Sequence, residues 1–407
     1  VSHIIPNNRI SLLQNGEAYF PAIEAALDGA LHEIYVQSYI FEDDNTGQRI
    51  AETLKRAAMR GVKTHLLIDG FGSSRLPQAM LDEIEAVGAK VLKFRPKISP
   101  WTLRRQRLRR LHRKIVAVDQ KIAFVGGINI IDNSDIHGQT STRFDYAIRV
   151  EGPLAKEIHN SARRVWARVA WTRFRPGGRW GRDGQVPSTE PGNPKYPIFL
   201  VRDNIRHRRD IENAYLQAIK QARFEIILAN AYFLPGLNFR HALLDAAGRG
   251  VRVVLLLQGR ADHRLLHYAS QALYGSFLSA GIEIYEYHKC LMHAKVAVID
   301  AHWATVGSSN LDPFSLLLSL EANIVVVDDN FAKELKQSLD EAMRKGARRI
   351  FENSWSSQSF RLRLTSWLSY GLVRFMKGIA GYAPEKASGA THAIAASPSG
   401  SNRLWKR

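Results

Sequence analysis

His112-Arg113-Lys114-Ile115-Val116-Ala117-Val118-Asp119 and His293-Ala294-Lys295-Val296-Ala297-Val298-Ile299-Asp300 are two copies of one pattern set 181 residues apart. Each is followed at the same offsets by a small-residue pair and an asparagine: Gly126-Gly127 with Asn129, and Gly307-Ser308 with Asn310. A single H-x-K-x4-D string is expected by chance in about a few per cent of chains this long. Two copies with matching followers indicate a duplicated unit.

Working outward, the duplication extends beyond the motifs. Ala57-Ala58-Met59-Arg60-Gly61-Val62-Lys63 recurs as Ala246-Ala247-Gly248-Arg249-Gly250-Val251-Arg252, each after an amphipathic stretch and before an apolar run. That reads as helix, glycine stop and buried strand. Glu33-Ile34-Tyr35-Val36 matches Glu225-Ile226-Ile227-Leu228, again a strand after a helix. The expected fold is α/β: two similar halves, each a mixed, mostly parallel sheet flanked by helices, packed about a pseudo-twofold axis.

The expected boundaries are 8–171 for the first half and 198–352 for the second. Residues 172–197 between them hold five glycines and five prolines and read as a linker. A C-terminal amphipathic helix is expected over 353–384, from Phe360, Leu364, Trp367, Leu368, Leu372, Phe375, Met376 and Ile379 at helical spacing. Its stripe suits either a membrane surface or a protein core. Residues 385–407, rich in Ala, Ser and Gly, read as a disordered tail.

The 407 residues carry a formal charge of +19 and 45% hydrophobic content, enough for two globular units. Such charge calls for an anionic partner: nucleic acid, anionic lipid or a phosphate ester. The single cysteine, Cys290, rules out an internal disulfide and a Cys-rich zinc site and reads as a free structural residue. No run approaches the roughly 18 to 20 apolar residues that span a bilayer, and Val1 to Arg9 lacks a signal-peptide core, so cytoplasmic residence is expected.

Residues two apart on a strand share a face, so His112 points with Lys114 and His293 with Lys295. A lysine on a buried strand needs a partner, and an anion held between the two cationic pairs would satisfy both. A cation beside each histidine argues against a metal site. If the halves converge, two imidazoles, two ammonium groups and two amides suit displacement at phosphorus. One neutral histidine attacks to form a phosphohistidine, and the other gives and takes the proton. Lys114, Lys295, Asn129, Asn310 and Ser308 would hold the phosphate oxygens. Asp145 and Glu321, each opening a further apolar run, are candidate carboxylates to fix the imidazoles; which serves which histidine is open. Asp119 and Asp300 complete the motif and are grouped with the catalytic set, although their place at the strand ends equally suits them to bracing a turn.

These residues resemble the phospholipase D superfamily, whose members carry two H-x-K-x4-D motifs followed by a small pair and an asparagine. The resemblance covers roughly residues 8–350. Within the superfamily the chain is similar to bacterial cardiolipin synthases, in Phe144-Asp145-Tyr146-Ala147-Ile148-Arg149-Val150-Glu151-Gly152-Pro153, in Ala229-Asn230-Ala231-Tyr232-Phe233-Leu234-Pro235-Gly236, and from His302 to Pro313. Its length and lack of N-terminal membrane helices make it similar to the B-type synthases. The resemblance implies phosphatidyl transfer from one phosphatidylglycerol to another through a phosphohistidine, without cofactor or metal. It implies nucleophile and acid roles for His112 and His293, with His112 taken as the attacker, and phosphate contacts from Lys114, Asn129, Lys295 and Asn310. Asp312 follows Asn310, whereas the first copy reads Asn129-Ile130-Ile131-Asp132, out of register by one.

The implied partners are phosphatidylglycerol and an anionic membrane surface rather than nucleic acid, at the cytoplasmic side of a bacterial inner membrane. Arg95 to Lys114 holds nine Lys or Arg residues with Trp101, Leu103, Leu108 and Leu111 among them. It suits lipid contact, a solvated basic helix, or a nucleic-acid backbone. The competing functions are a hydrolase or nuclease of the same superfamily, with water as acceptor, and a non-catalytic membrane-binding scaffold.

Overall fold

The duplicated Ala-Ala-x-Arg-Gly-Val stretches close a helix and launch a strand in each half. Gly61 and Gly250 both take φ +86°, the left-handed conformation that ends a helix without steric penalty. The strands that follow are buried after their first residue. The structure, a computed structural model, describes residues 1–5, 7–95, 109–132, 143–174, 197–203, 207–260, 263–312, 319–356 and 359–379.

The first half runs β1 (Ser2–Ile5), β2 (Asn8–Gln14), α1 (Asn15–Asp28), β3 (Glu33–Ser38), α2 (Asn45–Met59), β4 (Lys63–Asp69), α3 (Gln78–Ala86), β5 (Lys90–Phe94), β6 (Arg110–Leu111), β7 (Lys114–Val118), β8 (Ile122–Gly126), β9 (Tyr146–Glu151) and α4 (Pro153–Phe174). The second runs β10 (Ile198–Arg202), α5 (Asp210–Gln221), β11 (Glu225–Asn230), α6 (Leu237–Gly248), β12 (Arg252–Gln258), α7 (Arg264–Gln271), α8 (Tyr274–Leu278), β13 (Glu283–Tyr287), β14 (Lys295–Ile299), β15 (Trp303–Gly307), β16 (Ser319–Val327), α9 (Asp329–Gly346) and β17 (Ala347–Ile350). Two more helices follow, α10 (Glu352–Ser356) and α11 (Phe360–Ile379).

The two sheets share one strand order. It is β2-β9-β8-β7-β3-β4-β5 in the first, with β1 added at the edge, and β10-β16-β15-β14-β11-β12-β13 in the second, with β17 added. The expectation of mostly parallel sheets is corrected here. Along the two strand orders only β3-β4-β5 and β11-β12-β13 pair in parallel, and the other neighbours are antiparallel; the short β6 adds one parallel pair with β16. The reason is connection length: only helical crossovers return a strand in the same direction, whereas β7–β8 and β14–β15 are joined by tight hairpins.

One face of each sheet carries its own helices: α1 to α3 lie over an apolar cluster that includes Val36, Leu66 and Phe124, and α5 to α8 over one that includes Leu228, Leu255 and Ala297. The opposite faces share a single cluster. Ile115, Val125 and Ile148 of the first sheet pack there with Val296, Val306 and Ile324 of the second, together with Ile158 and Ala162 of α4 and Leu335 and Leu339 of α9. This shared core holds the two halves in register. Among the described residues no helix is long and apolar enough to cross a membrane. Trp101, Leu103, Leu108 and most of the basic run, the bulk of the 172–197 stretch and the tail lie outside the described residues.

Candidate active site

The residues preceding each motif leave their own sheet and pair with the other half. Arg110 and Leu111 of β6 run parallel to Ser319 and Leu320 of β16, and the His112 N–H donates to Leu320 O at 3.0 Å. In the mirror arrangement Phe144 bridges Met292, and the His293 N–H donates to Phe144 O at 2.8 Å. Glu321 follows Leu320 and Asp145 follows Phe144, so each histidine is laid beside the carboxylate of the opposite half. His112 Nδ1 lies 3.0 and 3.1 Å from the two Glu321 oxygens, and His293 Nδ1 lies 2.7 Å from Asp145 Oδ2. The pairing left open by the sequence is therefore crossed. A carboxylate at Nδ1 selects the tautomer protonated there and leaves the Nε2 lone pair for chemistry.

Both lysines are buried, Lys114 at 2% and Lys295 at 0% exposure, so each strand carries an amine inside the fold. Lys114 Nζ donates to His112 O at 2.6 Å, and Lys295 Nζ donates to His293 O. Lys295 Nζ also stands 3.7 Å from Asp145 Oδ2. Each lysine thus braces the main chain of its own histidine. Burial pushes Lys114 down to about 7, with Glu321 opposing the shift and Lys295 reinforcing it. Lys114 Nζ also sits 5.4 Å over the Tyr39 ring.

Burial holds His112 below the usual histidine range; Glu321 opposes this and Lys114 adds to it. His293 is held well below that range, by burial first and then by Lys295, Lys114 and Arg143. Burial raises Asp145 to about 6, against Lys295 and the Tyr146 N–H. Both imidazoles are thus biased toward their neutral form in the free protein. An anion entering between the lysines would offset the cations that keep His293 deprotonated.

The other expected residues divide. Asn129 lines the crevice with Asp145 and His293, and its Oδ1 accepts the Ile40 N–H at 3.2 Å. Asn310 is buried at the equivalent place past β15. The Ser308 hydroxyl donates to Glu321 Oε2 and accepts the Ala322 N–H at 3.0 Å, which sets it against the carboxylate behind His112. At the matching position Gly127 has no room for a side chain, since a Cβ would stand 2.3 Å from Asp145 Oδ1.

Asp119 and Asp300 are corrected, because neither is brought to the cluster. Each ends its strand five residues from the lysine, roughly 16 Å away at the usual rise. Each opens a two-residue hairpin turn: Asp119 and Gln120 have φ +51° and +58°, and Asp300 and Ala301 have +51° and +47°. Asp119 accepts the N–H groups of Leu31, His32 and Glu33 at 2.7, 2.8 and 2.8 Å. Asp300 accepts those of Arg223, Phe224 and Glu225, each at 2.8 Å. These are braces between β7 and β3, and between β14 and β11. Burial works against ionised Asp119, but its backbone bonds keep it below the usual carboxylate range. Cys290 is buried beside the Tyr287 hydroxyl at 3.7 Å, as a structural cysteine would be.

Three residues join the site without belonging to the motif. Tyr39, just past the end of β3, sets its ring 4.8 Å from His112. Arg143 lines the crevice beside His293, and Asn15 Oδ1 accepts the Asp145 N–H at 3.1 Å. Their signal in the sequence is positional only: Tyr39 follows a strand whose carboxyl end faces the crevice, where α/β sheets bind ligands. Among the described residues no group of three or more His, Cys, Asp or Glu side chains is placed to hold a metal ion. His293, Arg143, Asn129 and Asp145 line one crevice, and His112, Lys114 and Lys295 stand close enough to act electrostatically on His293. That inventory suits two-step displacement on an anionic phosphodiester.

The family model described as "Cardiolipin synthase, PLD-like domain" matches residues 23–166 and 215–343. Cardiolipin synthase B of Escherichia coli strain K12 is 36% identical over 388 residues, covering 93% of this chain and 90% of that protein. Cardiolipin synthase A of Pseudomonas putida is 32% identical over 337 residues, covering 82% of this chain and 68% of that protein. Among solved structures, the fold is similar to phosphatidylserine synthase of Haemophilus influenzae Rd KW20. That match has a TM-score of 0.64 and 13% identity, and covers 91% of this chain and 94% of that one.

Proposed function

This chain belongs to the phospholipase D-like cardiolipin synthase family, and from that premise we propose that it transfers a phosphatidyl group from one phosphatidylglycerol to another at the crossed site. His112 Nε2 attacks the phosphorus of the first lipid while its bond to the glycerol oxygen breaks. Protonated His293 delivers a proton to that oxygen, so glycerol leaves and the phosphatidyl group stays on His112. A glycerol hydroxyl of the second lipid then loses its proton to His293, attacks the phosphorus and frees His112. Cardiolipin and glycerol are the products, and one phosphodiester has replaced another.

The observation that carries this reading is the crossed pairing, in which each imidazole is backed by a carboxylate of the other half and flanked by a buried lysine. Lys114 and Lys295 supply the charge for the equatorial oxygens, so the reading contains no metal. The attacking role falls to His112 because Glu321 and the Tyr39 ring fix it in place. The proton-carrying role falls to His293 because burial first, and then Lys295, Lys114 and Arg143, disfavour its charged form, and a lipid phosphate would offset those cations. The enzyme works at a membrane surface, on the cytoplasmic side.

The test is lipid mass spectrometry after incubation of the protein with phosphatidylglycerol vesicles and EDTA. The expected result is cardiolipin formation that survives chelation and vanishes in His112→Ala and His293→Ala. A strict metal requirement would remove the two-histidine mechanism, and DNA cleavage with no new lipid would replace the transferase by a nuclease.

A further inference from the structure

We propose that the cleft between α11 and the α7–α8 pair binds the headgroup of a membrane-borne anionic phospholipid, apart from the catalytic crevice. The cleft measures about 420 Å³. Arg240, Arg363 and Arg374 line it together with Trp355, Trp367 and Tyr370, and among the described residues no carboxylate does. Arg240 and Arg374 lie 6.0 and 5.7 Å from the Tyr370 ring. Aromatic contact of this kind steadies a guanidinium while its N–H groups stay available for phosphate. Arg240 Nε is buried and has no hydrogen-bond partner among the described residues. A buried donor without an acceptor, in a basic cleft, is a place for an anion.

The neighbouring face of α11 identifies where that anion comes from. The helix docks on the second half through Val373 and Ser366, at 0% and 2% exposure. Trp367, Leu368 and Phe375 stand 59%, 65% and 64% exposed, with Leu364, Leu372 and Met376 exposed beside them. Arg363, Trp367, Tyr370 and Arg374 repeat every three or four residues and so share the cleft side of the helix, while Leu364, Leu368, Leu372 and Phe375 form the adjoining stripe. An apolar stripe beside a row of arginines and an interfacial tryptophan matches a bilayer, with acyl chains along the stripe and the phosphate in the cleft.

The cleft also faces the right way. Its α7 wall begins six residues after β12 ends at Gln258, whose Oε1 accepts the Met292 N–H at 3.3 Å. Ser270 of α7 donates to Phe233 O at 2.7 Å, in the loop beyond β11. Asn230, the last residue of β11, pairs with Lys295. A membrane resting on α11 is thus met at the end of the second sheet where His293 stands. The proposal rests on the functional reading only in taking its ligand from a bilayer.

The test is flotation of the full chain with vesicles of phosphatidylcholine alone or with added phosphatidylglycerol. At about fivefold per arginine, the variant Arg240→Gln/Arg363→Gln/Arg374→Gln should lose about 100-fold of its partitioning onto phosphatidylglycerol vesicles. Its thermal unfolding should match wild type. Removing the same charge from the first half, as Arg49→Gln/Arg56→Gln/Arg60→Gln, should change partitioning by about threefold or less, since those arginines already pair with Glu24 and Asp28. Full retention of phosphatidylglycerol preference by the first variant would overturn the proposal. So would an equal loss in the second, or a loss of oligonucleotide binding with lipid preference intact. Binding is read in His112→Ala/His293→Ala protein as well as wild type. Failure of cardiolipin formation would then count against the functional reading alone, and loss of selective binding against the cleft alone.

Discussion

Asp145→Asn and Glu321→Gln should impair different chemical steps, because each carboxylate serves the histidine of the other half. The Asp145 contact to His293 is 2.7 Å, and the Glu321 contacts to His112 are 3.0 and 3.1 Å. A hydrogen bond to an ionised partner contributes about 1.5–3 kcal/mol, a factor of about 10 to 150 in rate. The shorter Asp145 contact should fall toward the upper end and Glu321→Gln nearer tenfold. The assay compares phosphatidylglycerol with a short-chain phosphatidyl ester of p-nitrophenol, whose phenolate departs without a proton. Asp145→Asn weakens the proton carrier, so its burst of released alcohol should be slow with phosphatidylglycerol and close to wild type with the nitrophenyl ester. Glu321→Gln weakens the attacker, and should be slow with both. The opposite pattern of rescue would exchange the roles of the histidines. Loss below tenfold in both variants would refute the claim that the crossed carboxylates matter.

Gly127→Ala would place a methyl group 2.3 Å from Asp145 Oδ1, so transfer should fall about tenfold or more as the carboxylate is pushed off His293; unchanged kinetics would show that Asp145 can shift without loss. Asp119→Ala removes an acceptor from three N–H groups and should lower stability in urea by about 1–3 kcal/mol while leaving turnover at low temperature intact, whereas loss of turnover in a stable variant would return Asp119 to the chemistry. Because its pKa is lowered by folding, the Asp119 contribution is complete above the usual carboxylate range and fades as pH falls through the folded value. Lys114 has the opposite consequence: its pKa drops from 10.5 unfolded to about 7 folded. Between those values the unfolded chain holds more protons, so stability should rise with pH. Thermal melts of wild type against Lys114→Met across that window should show the slope only in wild type, and equal slopes would mean that Lys114 keeps its proton in the folded chain.

The duplication, the two buried strands and the convergence of both histidines on one site were legible because each motif is a short local string at a repeated offset. The crossed carboxylates were not, since the partners lie 209 and 148 residues apart and are joined by strand exchange rather than by any spacing. The roles of Asp119 and Asp300 were obscured by their turns. Asp119-Gln120 and Asp300-Ala301 take left-handed conformations without the glycine that usually announces such a hairpin. That silence also favoured a parallel reading of the sheets, because helix–strand alternation around β3, β4 and β5 stands out while the β7-β8-β9 meander carries little punctuation. The bond from Ser308 to Glu321 was equally hidden, because a hydroxyl near a phosphate motif suggests a phosphate contact and gives no sign of a carboxylate 13 residues on. Tyr39 and Arg143 belong to no pattern and emerged from folding alone.

The most direct measurement of the central claim is rapid-quench trapping with labelled phosphatidylglycerol, followed by peptide mapping under conditions that preserve phosphohistidine. One phosphatidyl group per chain on His112, absent from His112→Ala and accumulating when the acceptor lipid is withheld, is the expected result. Cardiolipin formation with no covalent adduct, or an adduct on His293, would contradict the account.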